Sequence, residues 1–278
     1  MKKIKVTHSL ARQHLPRRTR FDNKSTAGRS LIIGGSKGLA GAAILAAKSA
    51  TCIGSGYTSL MTRMPKSYYL KFPDFLIHSL PQLLTSKQIK NQAIAIGPGL
   101  GVSTKTSRTL ATLAKIKHKN VVVDADALTV LSKMKMKLKP PATWVYTPHV
   151  GELSRLLKVN TKVINSDPLK YTLLAQKQLG GIVLLKGAET WVVDKSQIYL
   201  CTSGHPSLAK AGTGDVLTGL IVGLLAQGIL PLTAAWLAAY IHGLAAQDYV
   251  KSGRDELSLT PLSLIEQIPK TLHHLRSP

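Results

Sequence analysis

After residue 29 the apolar positions come in blocks. Short runs that are apolar or β-branched stand at 31–33, 58–61, 93–96, 121–123, 144–146, 182–185 and 191–193. Longer segments of helical character separate or follow them, at 40–53, 103–117, 127–135, 150–158, 168–179, 215–226, 232–250 and 261–275. A strand that is apolar at successive positions is covered on both faces, so the pattern predicts an α/β fold: a mostly parallel sheet with helices on each side. The runs at 191–193 and 198–200, joined through Asp194 to Gln197, predict an antiparallel hairpin at one edge. Residues 1–29 are polar and basic, lack periodicity and are expected to wrap the surface. With no repeat, low-complexity tract or linker after them, the expected organisation is a basic N-terminal segment, 1–29, and one domain, 30–278.

One stretch imitates a membrane span. Residues 216–247 contain no Asp, Glu, Lys or Arg, but Gln227-Gly228 and Pro231 cut the run into pieces shorter than the ~20 apolar residues a span needs. Two buried helices are therefore expected, and no membrane partner. A hydrophobic share of 44% is ordinary for a globular chain. Charge is not: 37 Lys and Arg face 13 Asp and Glu, a net +24 that draws phosphates and other polyanions. Nucleic acid as the primary partner is disfavoured, because aromatics make up 5% of the chain and no nucleic-acid-binding module is found. Cys52 and Cys201 stand far apart, outside any Cys-x-x-Cys or Cys/His cluster, which points away from a disulfide framework or structural zinc. A cytoplasmic location is expected, since the basic N-terminus also lacks the apolar core of a signal peptide.

Five polar or Gly-rich clusters each begin where a strand run stops: Gly34-Gly35-Ser36, Gly97-Pro98-Gly99-Leu100-Gly101, Asp124-Ala125-Asp126, Thr147 to Glu152, and Lys186 to Thr190. In a parallel sheet such residues gather along the carboxyl edge, where open α/β folds bind ligands. A sixth cluster, Ala211-Gly212-Thr213-Gly214-Asp215, enters an apolar helix; glycines at a helix N-terminus aim backbone N–H groups at an anion. Asp215 reads either as a helix cap or as the acceptor of a proton from a hydroxyl attacking a bound phosphoryl group. Gly219 and Gly223 permit close packing of that helix. Lys186 reads as a solvated strand end or as a nucleotide contact, and His149 as a plain helix start or as a hydrogen-bond partner for an amide-bearing substrate. Glu152, three residues on, is at the spacing of a capping residue or serves a metal directly or through water. Asp126 is most simply the N-cap of the helix at 127. A P-loop enzyme or ordinary dinucleotide dehydrogenase is disfavoured, because neither Gly-x-x-x-x-Gly-Lys-Ser/Thr nor a complete Gly-x-Gly-x-x-Gly occurs.

In order, Gly34-Gly35-Ser36 with Gly41-Ala42-Ala43, Gly97 to Gly101, Asp124 to Leu128, Thr147-Pro148-His149 with Gly151-Glu152, Lys186 to Ala188 with Thr190, and Gly212 to Gly219 resemble the ADP- or ATP-dependent NAD(P)H-hydrate dehydratases of the ribokinase-like superfamily. The resemblance implies dehydration of the S epimer of hydrated NADH or NADPH, coupled to hydrolysis of ADP or ATP, on a ribokinase-like fold. It implies Asp215 as the catalytic aspartate and as a substrate contact. Ala42, Gly99 and His149 would contact the hydrated cofactor. Lys186, Gly187, Ala188, Glu189, Thr190 and Gly214 would hold the adenine nucleotide, with Mg²⁺ neutralising the polyphosphate. A homo-oligomer, a tetramer among the sizes considered, is implied as well. His205 and Ala211 depart from the family pattern, in which Asn and Gly are commoner, and put nucleotide preference in question. The companion epimerase domain of some relatives is not expected ahead of residue 30. The competing enzyme is a ribokinase-like kinase that phosphorylates a small hydroxylated vitamin precursor and releases the product.

Overall fold

The computed structural model describes residues 1–64, 72–90, 92–134 and 138–277. Its strands, in chain order, are β1 (Lys2–Lys5), β2 (Arg29–Ile33), β3 (Tyr57–Thr62), β4 (Leu76–Ser79), β5 (Ala93–Ile96), β6 (Val121–Val123), β7 (Val145–Tyr146), β8 (Ile182–Leu185), β9 (Thr190–Val193) and β10 (Gln197–Cys201). They form one sheet in the order β1-β10-β9-β8-β7-β6-β5-β2-β3-β4. Pairing is parallel from β8 through β4 and antiparallel on both sides of β9.

The continuous apolar runs become the central strands because alternate residues serve opposite layers. Ile32, Ala95, Val122 and Leu184 join a core with α2 (Ala40–Cys52), α9 (Thr213–Ala226), α10 (Pro231–Lys251) and α11 (Pro261–Arg276). Leu31, Ile33, Ile94, Ile96 and Val183 join the opposite core with α3 (Ser86–Ile89), α4 (Thr104–Lys115), α5 (Ala125–Lys133), α6 (Val150–Leu157), α7 (Thr161–Ser166) and α8 (Pro168–Leu179). The helix starts carry their own stop-and-start chemistry. Ser103, Asp167 and Thr260 accept backbone N–H groups of the first turn, Pro168, Pro231 and Pro261 open helices, and Gly180 closes α8 in the left-handed conformation. The uncharged run is two helices, α9 and α10, and among the described residues no helix is long and apolar enough to cross a membrane.

Three expectations need correcting. Residues 1–29 do not simply wrap the surface: β1 pairs parallel with β10, α1 (His8–His14) follows, and Val6, Ala11, Leu15 and Ala27 are buried. The β9–β10 hairpin is consequently one strand in from the edge. An edge strand of three lysines and one isoleucine has no apolar run, because its outer side stays in water. Asp126 is not a helix cap either, since α5 starts at Ala125 and Asp124 holds the capping position. The last residue of the helix predicted over 127–135 lies outside the described residues.

Candidate active site

The parallel strands present their carboxyl ends along one rim, and backbone bonds continue past them. Gly97 N–H donates to Ile33 O (3.1 Å), Asp124 N–H to Ile96 O (3.1 Å), Thr147 N–H to Val123 O (3.1 Å) and Lys186 N–H to Pro148 O (2.9 Å). His149 and Lys186 form a parallel bridge of their own. The five clusters therefore sit side by side in a row set by the sheet order. Gly97 is obligatory there: its φ is +129° and a Cβ would lie 1.9 Å from Asp124 O.

At the middle of the rim is a charged network. Lys186 Nζ lies 2.9 Å from Asp124 Oδ1 and 3.7 Å from Glu152 Oε2. Thr218 Oγ1, from α9 on the other side, donates to Asp124 Oδ2 at 2.6 Å. Burial alone would push Asp124 up; Lys186 and the Thr218 and Thr147 hydroxyls outweigh it and hold the carboxyl below its ordinary value. Burial would likewise lower Lys186, but Asp124 and Glu152 keep its ammonium charged. Glu152 is pushed up by burial, with Lys186 opposing and Asp124 reinforcing the shift. Asp126 faces elsewhere, its Oδ2 accepting the Gly101 N–H at 2.8 Å. Between the two aspartates Ala125 has φ +47°, a costly backbone state for a non-glycine residue, of order 1 kcal/mol or more.

The start of α6 explains both His149 and Glu152 locally. His149 Nδ1 accepts the Gly151 N–H (3.0 Å) and Glu152 Oε2 accepts the His149 N–H (2.9 Å), a reciprocal capping box. With Nδ1 accepting, the neutral ring carries its proton on Nε2 and can donate. Burial, then the Lys186 charge, lowers the His149 pKa and keeps that neutral form.

The remaining wall is the N-terminus of α9. Gly212 occupies its N-cap at φ +95°, and a Cβ on Gly214 would lie 3.5 Å from Lys186 Nζ. His242 of α10, 8% exposed, donates from Nε2 to Thr213 O (2.9 Å), and burial lowers its pKa to about 4, so it is a neutral prop for this turn. A cavity of about 660 Å³, within the ~300–1,000 Å³ usual for small-molecule sites, opens between the two walls. It is lined by His149, Lys186, Gly187, Ala188, Thr190 and Gly214, among others. Glu189 is exposed and outside that lining. His205, also in the lining, accepts the Ser207 N–H on Nδ1 (3.2 Å).

Asp215 follows Gly214 in the first turn of α9 and is half-buried. Burial, then the Asp124 charge, raises its pKa to about 7, with Lys186 acting the other way. Its carboxyl is therefore poised between proton donor and acceptor near neutrality. Gly219 packs on Ala46 O and Ser49 Cβ, and Gly223 on Ala50 and Ile53, so α9 and α2 run side by side in the same direction. Stepping both helices back one turn brings Asp215 to the level of Ala42. The N-terminal end of α2 also abuts Gly99, whose φ is +57° and whose Cβ would meet Leu39 O at 2.2 Å. Ser36 Oγ donates to Gly99 O (3.0 Å).

The rim thus brings Lys186, His149, Gly214 and Asp215 together, places Ala42 and Gly99 beyond Asp215 on the α2 side, and leaves Glu189 outside. Sequence reading missed the Thr218–Asp124–Lys186 clamp and the prop from His242. A histidine alone in an otherwise uncharged apolar run was the available signal for the latter. Among the described residues no group of three or more His, Cys, Asp or Glu side chains could hold a metal ion.

Comparison with known proteins places the chain in a family. The sequence profile of the NAD(P)H-hydrate dehydratase family matches residues 30–270. A bifunctional NAD(P)H-hydrate repair enzyme of Moorella thermoacetica is 34% identical over 286 residues, covering 97% of this chain and 54% of that one. The chain spans about half the length of the bifunctional relatives it matches. The ADP-dependent (S)-NAD(P)H-hydrate dehydratase of Staphylococcus aureus is 31% identical over 270 residues and matches along 95% of both chains. The crystal structure of the ADP/ATP-dependent NAD(P)H-hydrate dehydratase from Bacillus subtilis, co-crystallised with ATP/Mg²⁺, superposes with a TM-score of 0.84 at 28% identity over 97% of each chain. By its sequence and its fold, the chain belongs to the NAD(P)H-hydrate dehydratase family.

Proposed function

We propose that the protein dehydrates the S epimer of hydrated NADH or NADPH, coupled to hydrolysis of ADP or ATP, and so returns the reduced cofactor. The observation that carries this reading is the convergence on one rim of an anion-binding helix start and a charged lysine, both lining the cavity, with Asp215, the next residue after Gly214, within electrostatic reach of Lys186 and titrating near neutrality. Lys186, Gly187, Ala188, Thr190 and Gly214 hold the adenine nucleotide, its terminal phosphate against the N–H groups of α9 and Lys186 Nζ. Ala42, Gly99 and His149 line the berth for the hydrated nicotinamide, with the His149 Nε2–H as donor. In this reading Asp215 takes the proton of the hydrate hydroxyl as its oxygen attacks the terminal phosphoryl group. The nucleotide leaves one phosphate shorter, and the phosphorylated hydrate then loses inorganic phosphate. The C–O bond electrons depart with it, a neighbouring ring proton is lost, and the double bond is restored.

A divalent cation, Mg²⁺ by the chemistry of polyphosphates, supplies neutralisation of phosphate charge when bound. Lys186 already lies against Asp124 and Glu152, so the cation would be held mainly by phosphate oxygens and water, with Glu152 the carboxylate that would serve it directly or through water. We also infer a homo-oligomer, in line with the family. The experiment mixes the protein with hydrated NADH and either nucleotide. Return of the dihydronicotinamide absorbance with release of AMP or ADP supports the proposal. Accumulation of a stable phosphorylated product, or nucleotide turnover without recovery of absorbance, overturns it in favour of a kinase.

A further inference from the structure

A second cavity lies at the opposite end of the sheet, and the reaction above makes no use of it. Its volume is about 490 Å³, and its lining includes Arg17, Arg18 and Arg276 with Gly54 and Gln227. Four chain segments converge there: the loop after α1, the C-terminal end of α2, the C-terminal end of α9, and the last turns of α11.

The arginines are partly fixed by the backbone. Arg18 Nη2 donates to Gly54 O (2.6 Å) and Arg276 Nη2 to Pro16 O (2.7 Å), while Gln227 Nε2 donates to Ile53 O (3.1 Å). Each guanidinium has five N–H donors, so both anchored arginines keep several for an occupant, and Arg17 adds a third group. Among the described residues no carboxylate lines the cavity. Asp22 is close enough to feel Arg18, but it is fully exposed and engaged by the Thr19 N–H (2.6 Å). The C-termini of α1, α2, α9 and α11 contribute up to about half a negative charge each, less in sum than the three positive charges opposite, and carbonyls at the ends of α1, α2 and α9 are already covered by Arg276, Arg18 and Gln227. What remains is a concave site with surplus cation and forked donors, the chemistry that recognises phosphate oxygens in pairs. Several phosphates are better matched than one, given three guanidiniums and this volume.

We propose that this cavity is a second anion site, which takes a small ligand carrying a di- or triphosphate. It is independent of the dehydratase reading, since its residues lie at the far ends of α2 and α9 from Ala42 and Asp215.

The test is a titration of isotopically labelled protein with inorganic tripolyphosphate and, separately, with ADP, following backbone amide resonances. The proposal expects saturable movement of the Gly54 and Gln227 amides, distinct from those of Gly214 and Lys186 in the cleft. Movement with tripolyphosphate alone marks free polyphosphate as the ligand type, and movement with both marks a nucleotide. Arg17→Glu, which disturbs neither backbone anchor, should weaken the Gly54 response by about ten-fold or more and leave the cleft response unchanged. The proposal fails if millimolar tripolyphosphate and ADP both leave Gly54 and Gln227 unmoved, if their shifts rise without saturation along with those of exposed lysines, or if Arg17→Glu binds as tightly as the parent.

Discussion

Asp215 is predicted to cost the folded protein stability, and Asp215→Asn to recover it in a pH-dependent way. Burial raises the folded pKa from an ordinary 3.8 to about 7, with Asp124 adding to the shift and Lys186 subtracting from it. A carboxyl with a higher pKa in the folded state holds its proton more tightly there. Its favourable contribution is complete below the unfolded value and is lost as pH rises through the folded one. From pH 5 to about 7 the loss accrues at ~1.36 kcal/mol per unit, roughly 2–3 kcal/mol in all by pH 8. Asp215 keeps partial contact with solvent, and screening trims this to roughly 1–2 kcal/mol. For a chain of this size that corresponds to ~2–8 °C in Tm. Asparagine has the same shape without the charge, and other titrating groups cancel in the difference between variant and parent. Calorimetry on ligand-free protein should therefore show the variant's Tm advantage growing by that amount between pH 5 and pH 8. An advantage equal at the two pH values, or one that shrinks, would refute the reasoning. The variant should meanwhile lose about 10²–10⁴-fold or more in turnover, and the parent's kcat/KM should climb as pH passes through about 7.

Lys186→Met leaves Asp124 and Glu152 facing each other without their shared cation. It should destabilise by about 3 kcal/mol and weaken nucleotide binding about ten-fold or more, both readable by thermal melts with and without ADP; unchanged melting in both would contradict the network. Thr218→Val removes the 2.6 Å donor to Asp124 and should cost about 1–3 kcal/mol in denaturant unfolding, while nucleotide affinity falls much less than in Lys186→Met.

What the sequence disclosed follows from where each element sits. Strands β5, β6 and β8, and the 31–33 run of β2, were legible because both faces are buried and every position is apolar. The strands it hid, β1 and β4, are the two edges of the sheet, where Lys2–Lys5 and Leu76–Ser79 keep an open side in water and show no run. Helix α7 was hidden too, since of its six residues only Ile164 is buried. At the site, Gly97, Lys186 and Asp215 were readable from their position just after strands or at a helix start. The Thr218 and His242 contacts were not, because each joins residues from separate elements, Thr218 to Asp124 across 94 positions and His242 to Thr213 across 29, and local pattern does not encode which helix faces which loop. Glu189 shows the converse: it shares a loop with Lys186, but its side of the turn faces water.

The central claim is that the hydrate oxygen attacks phosphorus and leaves as part of the phosphate. Hydrated NADH carrying ¹⁸O in its hydroxyl group, turned over with unlabelled nucleotide, tests this directly by mass spectrometry of the inorganic phosphate. The account predicts one ¹⁸O in each phosphate released; label appearing in water, with unlabelled phosphate, would contradict it.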